Sequence, residues 1–335
     1  MPRADRGAAS TALLDQALAA DAPGCSAAAG VEGAVAWTGA RGVADTDAGL
    51  PLTTDTRFDT ASVGKQFTAT AILLLAQDGK LALTDSLARH VPGLPAWAEQ
   101  VTLQDLMHHT SGLRDVLSLL YGAGFTMDDA VRQPDALAEI AQIEELNFTP
   151  GSVFEYSNTN YVLLGEIVRT ASGMALPQFL QERVFGPLGL VMSFGRDSVA
   201  DLPSGHTTTL GQVERSGAAW LLDGPGFIVT TPSELVRWAD NYRTGEVGGP
   251  ALLDQVTRDA HPVSSAPDAD RYGAGVDVAA DGTLVHSGEW AGMLSLFAVS
   301  PDRRAAVAIT CNRDDIGPAL TDLGKALTSI WFGPS

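Results

Sequence analysis

A serine hydroxyl and a lysine amine lie three residues apart in the segment Ser62-Val63-Gly64-Lys65. An apolar run with helical spacing follows, from residue 67 to residue 76. If Ser62 lies in the first turn of that helix, Lys65 falls on the same face, where its amine can take the hydroxyl proton. The same residues are equally typical of a helix N-cap serine followed by a solvated lysine. The pair therefore indicates a nucleophile and its base only if other parts of the chain support it.

Length and composition indicate a large globular protein. The 335 residues, 45% hydrophobic and 18% charged, suit two domains or one core with an inserted lobe. A net charge of -19 argues against nucleic acid and anionic membrane surfaces as partners. No run approaches the roughly 18 apolar residues of a membrane span, and residues 1–24 lack the features of a signal peptide. We therefore expect a cytoplasmic protein that binds neither nucleic acid nor membrane.

The chain contains two cysteines and one pair of adjacent histidines, which could form a disulfide or bind a metal. Cys25 and Cys311 each lie in an apolar, strand-like run, so we expect two small core residues. The alternative is a disulfide between them, which requires that their strands be neighbours. His108 and His109 would point to different sides of a helix, and no third ligand is spaced to help them. We expect a packed histidine there, and neither a metal nor a cofactor.

Strand-like runs lie near both ends of the chain. Residues 25–31 and 34–40 are separated by Glu32-Gly33, a two-residue turn typical of a β-hairpin. Further strand-like runs lie between residues 272 and 310. The simplest architecture is an antiparallel sheet built from both ends of the chain.

Helical patterns fill the middle of the chain and also lie at its ends. We expect short terminal helices at residues 11–20 and 315–331, and there is little strand signal between residues 62 and 190. The prediction is an α+β fold in which helices from both termini flank the sheet and a helical lobe is inserted between its strands. The active site would lie in the cleft between two domains: a sheet domain of residues 1–61 and 225–335, and a mostly helical domain of residues 62–224.

Two further motifs follow the Ser62–Lys65 segment in a fixed order: Tyr156-Ser157-Asn158, then His286-Ser287-Gly288. With these three motifs the chain resembles the β-lactamase-like serine hydrolases, which include serine β-lactamases and penicillin-binding proteins. It is most similar to the branch of class C β-lactamases, D-aminopeptidases and esterases. The resemblance covers about residues 22–330, and the flanking runs at 109–113 and 187–190 agree with it.

The resemblance implies a role for each residue of the first two motifs. Ser62 would be the nucleophile that forms an acyl-enzyme, with Lys65 and Tyr156 as its base. Their ordinary pKa values are about 10.4 and 10, so both must fall for either group to act near neutral pH. Asn158 would donate its amide to the substrate and help to hold Lys65. The alternatives are a core tyrosine and a turn asparagine.

The third motif departs from the family pattern. His286 lies where the family often carries lysine, and a histidine gives less positive charge at neutral pH, which favours esterase, amidase or aminopeptidase activity over β-lactamase activity. Gly288 would let the substrate backbone approach closely. The backbone amides of Ser62 and Glu289 would form the oxyanion hole. Glu289 replaces an expected small residue, so it would attract a substrate ammonium unless it is simply a solvated strand-end residue.

Three functions remain open at this stage. The first is a serine hydrolase that cleaves a small-molecule ester or amide, of esterase, amidase or D-aminopeptidase type. The second is a transacylase that passes the acyl group to an amine or alcohol. The third is a non-catalytic binding module on the same fold. The acyl and leaving groups, the stereochemical preference and the oligomeric state cannot be read from the sequence.

Overall fold

The computed structural model describes residues 3–195, 202–266 and 268–333. These residues form an α+β fold, as predicted: an antiparallel sheet of eight strands is flanked by helices, with a mostly helical lobe inserted in the chain. In chain order the strands are β1 (Cys25–Val31), β2 (Ala34–Arg41), β3 (Val43–Asp45), β4 (Leu50–Pro51), β5 (Phe58–Asp59), β6 (Ser193–Phe194), β7 (Gly205–Thr209), β8 (Gln212–Ser216), β9 (Ile228–Thr230), β10 (His261–Pro262), β11 (Arg271–Tyr272), β12 (Asp277–Val278), β13 (Leu284–Trp290), β14 (Met293–Val299) and β15 (Ala305–Cys311).

Helices cover the sheet and build the inserted lobe. The first helix begins earlier than predicted and ends at Ala17 rather than at residue 20. The helices are α1 (Arg3–Ala17), α2 (Lys65–Gln77), α3 (Leu87–His90), α4 (Leu103–Met107), α5 (Val116–Gly122), α6 (Gln133–Ile140), α7 (Asn158–Ser172), α8 (Leu176–Leu180), α9 (Pro232–Ala239), α10 (Asn241–Thr244), α11 (Gly249–Arg258) and α12 (Gly317–Trp331).

The central sheet joins the two ends of the chain. Its strands run in the order β10-β11-β12-β13-β14-β15-β1-β2, and every neighbouring pair is antiparallel. The predicted hairpin joins β1 to β2 through Glu32 and Gly33, both of which have positive φ. Since β1 pairs with β15, the first and last strands of the chain lie side by side in the sheet. The predicted antiparallel sheet from both termini is confirmed.

Side chains alternate between the two faces of the sheet and feed two separate cores. Val307 and Ile309 of β15 pack with Leu14 of α1 and Leu327 of α12, so the terminal helices cover one face. Ala308 lies between them in the strand, so its side chain points to the other face and belongs to the larger core. The larger core also contains α9 and the inserted lobe.

The inserted lobe is organised around α2. Residues 65–75 of this helix are all buried, so the helix lies inside the lobe rather than on its surface. Residues 62–190 consist of helices and loops, and β6 is the first strand after them. The loop-rich region at 191–225 contains the hairpin of β7 and β8, while its residues 196–201 lie outside the described residues.

Cys25 and Cys311 form a disulfide bond, which corrects the expectation of two unbonded core residues. The bond follows from the sheet register, because β1 and β15 are neighbours and place Cys25 directly opposite Cys311. Both residues are fully buried in the core beneath α1 and α12. The bond therefore links the first and last strands of the chain.

Candidate active site

Ser62 lies on a tight turn between β5 and α2. Residues 61–64 form one turn of 3₁₀ helix, and α2 begins directly after it. Ala61 has a φ of 47°, an unfavourable value for a residue with a side chain. Its backbone N–H donates to Asp59 Oδ1 at 2.9 Å, which helps to hold this conformation. The turn brings the half-buried Ser62 to the surface of the cleft.

Lys65 lies one turn after Ser62 and is fully buried. Its Nζ lies 2.9 Å from Ser62 Oγ, 2.8 Å from Asn158 Oδ1 and 2.7 Å from the carbonyl oxygen of Pro225. An ammonium group has three N–H donors, and these three oxygens accept them. A neutral amine at the same position can instead accept the Ser62 proton. The solvated-lysine interpretation is therefore wrong.

The electrostatics around Lys65 suit a base near neutral pH. Burial of its amine lowers the pKa of Lys65 to about 7, and the charge of Asp115 opposes this shift. The amine also lies 5.0 Å from the ring centre of Tyr156 and 5.5 Å from that of Tyr161. Aromatic faces stabilise a cation, so the two rings partly offset the loss of solvation of the ammonium form.

Tyr156 lies beside Ser62 and Lys65 at the mouth of the cleft. Although 38% of its surface is exposed, desolvation of its hydroxyl raises the pKa of Tyr156 above its ordinary value, and a hydrogen bond with Ser62 opposes the rise. A base near neutral pH would need a lowered Tyr156 pKa, and the raised pKa in the free protein contradicts that expectation. Tyr156 is a neutral phenol here, whereas Lys65 is the member of the pair that titrates near neutral pH.

His109 supports the ring of Tyr156. The two rings lie 4.2 Å apart between centres and are tilted by 31°. His109 is fully buried, and its Nδ1 accepts from the backbone N–H of Ser157 at 3.2 Å and lies 3.0 Å from Asn160 Nδ2. Burial holds the pKa of His109 well below its usual range. It is the packed histidine that the sequence predicted, and it is neutral near pH 7.

Asn158 lies between Lys65 and Asp115, a residue that no sequence motif indicated. Its Oδ1 accepts from Lys65, while its Nδ2 donates to Asp115 Oδ2 at 3.0 Å. Its backbone N–H also donates to Asp115 Oδ2, at 2.6 Å. One Nδ2 hydrogen is therefore used within the protein, and its interaction with a substrate stays a prediction for the other.

His286 is buried and hydrogen-bonded at both ring nitrogens. Its Nε2 lies 3.0 Å from the Tyr272 hydroxyl, and its Nδ1 lies 2.6 Å from the carbonyl oxygen of Ser287. Burial and the charge of Lys65 lower the pKa of His286 to about 3. The residue that replaces the family's cation is therefore neutral, and it does not supply even the partial positive charge expected from the sequence.

Gly288 allows β13 to lie directly against the turn that carries Ser62. A Cβ at this position would lie 2.4 Å from the Thr60 carbonyl oxygen and 2.9 Å from the Ser62 backbone nitrogen. Neither distance is tolerable between non-bonded backbone atoms, so only glycine fits. This contact brings the neighbouring Glu289 to the cleft beside Ser62. The oxyanion hole formed by these two amides stays a prediction.

Two cavities meet at Ser62, and both are lined by Ser62, Asn158 and Glu289. The smaller, about 60 Å³, has an apolar wall formed by Leu117, Leu222, Phe227 and Trp290. The larger, about 450 Å³, is lined by Tyr156, His286, Tyr272 and Asp277 among others. Burial and the neighbouring Asp270 raise the pKa of Asp277 to about 7.

Several residues of this site could not be identified from sequence motifs. Asp115 follows the 109–113 run by two positions, which is the only signal that could have pointed to it. Tyr272 and Asp277 carry no motif, and their roles depend on the pairing of β11, β12 and β13. Within the described ranges, no group of three or more His, Cys, Asp or Glu residues could hold a metal ion.

The fold and the arrangement of this site are typical of the β-lactamase-like class of proteins. The chain belongs to the Beta-lactamase family, whose model matches residues 11–327. This confirms the predicted resemblance. No helix in the described part of the chain is long and apolar enough to cross a membrane.

Individual proteins and structures of this class are similar over most of the chain. Penicillin-binding protein 4* of Bacillus subtilis is 28% identical over 306 residues, which cover 84% of this chain and 66% of that protein. The chain spans 54–66% of the length of such relatives. A D-amino acid amidase from Ochrobactrum anthropi has a TM-score of 0.81 at 24% identity and 97% coverage of both chains. EstCE1, a hydrolase with promiscuous acyltransferase activity, has a TM-score of 0.82 at 22% identity and 99% coverage of both chains.

Proposed function

We propose that this protein cleaves an ester or amide of a small molecule through an acyl-enzyme on Ser62. The observation that carries the proposal is the contact between Lys65 Nζ and Ser62 Oγ at 2.9 Å, made by a lysine whose pKa burial lowers to about 7. A substantial fraction of Lys65 is then neutral at physiological pH, and a neutral amine at hydrogen-bond distance is a competent general base.

The reaction follows from the positions of the groups. Neutral Lys65 takes the Ser62 proton as Oγ attacks the substrate carbonyl, and the backbone amides of Ser62 and Glu289 donate to the developing oxyanion. The neutral phenol of Tyr156 gives its proton to the leaving group and regains one from Lys65. Both groups then have their starting protonation, and water attacks the acyl-enzyme by the same steps in reverse.

The two cavities suggest which part of the substrate lies where. The group that protonates the leaving group must face it, and Tyr156 lines only the larger of the two described cavities. We therefore assign the leaving group to the larger cavity and the acyl group to the smaller one. A volume of about 60 Å³ with an apolar wall suits a short acyl chain.

The charges of the site favour a substrate that carries an amino group. Glu289 lines both cavities and Asp277 lines the larger one, whereas no lysine or arginine is among the described residues that line either. Neutral His286 offers nothing to a substrate carboxylate. The fold similarity to a D-amino acid amidase is consistent with a short aminoacyl ester or amide.

Acyl transfer is the second candidate, favoured by the apolar wall of the smaller cavity. Phe227 and Trp290 lie beside Ser62 and reduce the room for ordered water around an acyl group. The structural neighbour EstCE1 is a hydrolase with promiscuous acyltransferase activity. Adding an amine or alcohol to an ester reaction separates the two functions. A transacylase gives mainly the transfer product, whereas a hydrolase gives mainly the free acid.

A series of p-nitrophenyl esters tests the proposed hydrolase directly. Acetyl and butyryl esters should be turned over faster than octanoyl and longer esters, because the smaller cavity limits the acyl chain. The Ser62→Ala variant should be inactive on all of them. Equal turnover by wild type and Ser62→Ala would reject the role of Ser62, and a preference for long chains would reject the assignment of the smaller cavity.

The cytoplasmic location stays a prediction, and the disulfide argues against it. Disulfides persist in oxidising compartments and are uncommon in the cytosol. Thiol alkylation in intact producing cells, followed by mass analysis, distinguishes a reducing compartment from an oxidising one. Alkylation of Cys25 and Cys311 after denaturation without reductant would indicate a reducing compartment, whereas protection would indicate an oxidising one.

A further inference from the structure

Asp115 connects the start of α5 to the start of α7. Its Oδ1 accepts from the backbone N–H of Leu117 at 2.8 Å, which caps α5. Its Oδ2 accepts both N–H groups of Asn158, from the backbone at 2.6 Å and from the side chain at 3.0 Å. One carboxylate therefore satisfies three donors from two helices of the lobe, and two of these donors belong to Asn158, which contacts Lys65.

The acceptor-only carboxylate fixes the orientation of the Asn158 amide. A carboxylate accepts hydrogen bonds, so the NH₂ end of the amide must face Asp115. The amide oxygen is then left to face Lys65, which it accepts from at 2.8 Å. In the flipped orientation the NH₂ group would face the Lys65 amine, and two donors would oppose each other when Lys65 is protonated.

The two histidines and two tyrosines around Lys65 are neutral near pH 7. His109 and His286 have lowered pKa values because both are buried, and burial raises the pKa values of Tyr156 and Tyr161. Asp277 and Glu289 are carboxyl groups on the cavity wall beyond Ser62. Asp115 is the acidic group whose charge acts on Lys65, and it raises the lysine pKa against the effect of burial.

We propose that Asp115 is a positioning residue of the catalytic site: it holds the Asn158 amide oxygen toward Lys65, and its negative charge stabilises the ammonium form of that lysine. The inference rests on the proposed function, in which Lys65 must lose a proton to act. Asp115 would thereby determine the lower end of the pH range in which Ser62 is activated.

Two variants remove the charge at this position. Asp115→Ser keeps a hydroxyl that can cap α5, so it preserves the helix start while removing the contact with Asn158. Asp115→Asn keeps the size of the side chain and serves if the serine variant does not fold. Asp129→Asn is the matched control, because Asp129 also accepts two bonds from a neighbouring residue but is exposed and lines neither cavity.

The first measurement does not depend on activity. The chain has only three lysines, Lys65, Lys80 and Lys325, so their side-chain NMR signals can be assigned with Lys80→Arg and Lys325→Arg variants. We expect the titration midpoint of Lys65 to fall by about one pH unit in Asp115→Ser or Asp115→Asn and to stay unchanged in Asp129→Asn. An unchanged midpoint in folded variants at position 115 would overturn the proposal.

The second measurement connects the titration to the reaction. The rate at which a fluorophosphonate labels Ser62 is followed from pH 5 to pH 9, and its acid limb should move to lower pH in the position 115 variants. A purely structural role would lower the rate without moving the limb, and this result would also overturn the proposal. If Lys65 shifts but Ser62 is not labelled even in the wild type, the proposed function fails and the coupling of Asp115 to Lys65 stands.

Discussion

The hydroxyl of Tyr272 donates a hydrogen bond to Nε2 of His286 over 3.0 Å. Nδ1 of the same ring faces the carbonyl oxygen of Ser287, which can only accept, so Nδ1 carries the proton and Nε2 is the acceptor. Burial disfavours a second proton on the ring, and the charge of Lys65 disfavours it further, so the pKa of His286 is lowered to about 3. The imidazole is thus a fixed, neutral part of the cleft.

Tyr272→Phe should destabilise the protein because it leaves the buried Nε2 of His286 without a donor. The expected loss in the free energy of unfolding is about 1–3 kcal/mol. Urea denaturation monitored by circular dichroism measures it. Tyr121→Phe is the control, since the Tyr121 side chain is 48% exposed and its hydroxyl donates to the weak acceptor Met127. Equal stability of the two variants would show that the His286 contact contributes nothing.

Activity should depend on pH through Lys65. Only the neutral amine can accept the Ser62 proton, so the active fraction rises as pH increases through the Lys65 pKa of about 7. Below that pH, kcat/KM for a neutral ester should fall about tenfold per unit. Stopped assays from pH 5 to pH 9 measure the limb. A rate that is flat across pH 6 to 8, or that rises as pH falls, would contradict this role.

Removing the Lys65 amine should slow acylation while the protein stays folded. Lys65→Ala should lower kcat/KM by about 10²- to 10⁴-fold, the usual contribution of a general base. Lys80→Ala is the matched control, because Lys80 is exposed at the end of α2 and should leave the rate unchanged. A Lys65→Ala variant that is folded by circular dichroism and retains full activity would exclude Lys65 as the base.

Glu289→Gln should discriminate between charged and neutral substrates. The carboxylate is exposed at the wall of both cavities, so its removal should raise KM for amine-bearing esters about two- to fivefold. Neutral esters with the same acyl length should show no change in KM. Steady-state kinetics on matched pairs, such as alanyl and propionyl esters, provide the comparison. An equal effect on both members of a pair would reject an ammonium subsite.

The Cys25–Cys311 bond should contribute to global stability because it links strands that are 286 residues apart in the chain. Replacing both cysteines with alanine should lower the free energy of unfolding by about 2–4 kcal/mol, although the effect of such bonds depends on the unfolded state. Wild-type protein denatured with a reductant should show the same loss. If the reduced and oxidised proteins unfold at the same urea concentration, the bond has no stabilising role.

Local sequence patterns were sufficient to predict the fold class and the pairing of Ser62 with Lys65. The Glu32-Gly33 turn and the apolar runs on either side of it predict a hairpin, because turn chemistry and alternation are properties of adjacent residues. The pairing of β1 with β15 could be inferred only from architecture. The Ser62–Lys65 spacing predicts a shared face because helical geometry fixes it.

The electrostatic environment could not be predicted in the same way. The pKa directions of Tyr156 and His286 depend on burial and, for His286, on the charge of Lys65, which is distant in the sequence. Asp115 acts through the orientation of Asn158, which only the folded lobe establishes. The disulfide depends on the register between β1 and β15, and no sequence pattern specifies that register.

The central claim is a covalent acyl-enzyme on Ser62. Intact-mass analysis after brief incubation with a p-nitrophenyl ester, and separately with a fluorophosphonate, tests it most directly. Wild-type protein should gain the mass of one acyl group or one phosphonyl group, peptide mapping should place the adduct on Ser62, and Ser62→Ala should gain neither. A folded wild-type protein that forms no adduct with either reagent, or an adduct that persists in Ser62→Ala, would contradict the proposed mechanism.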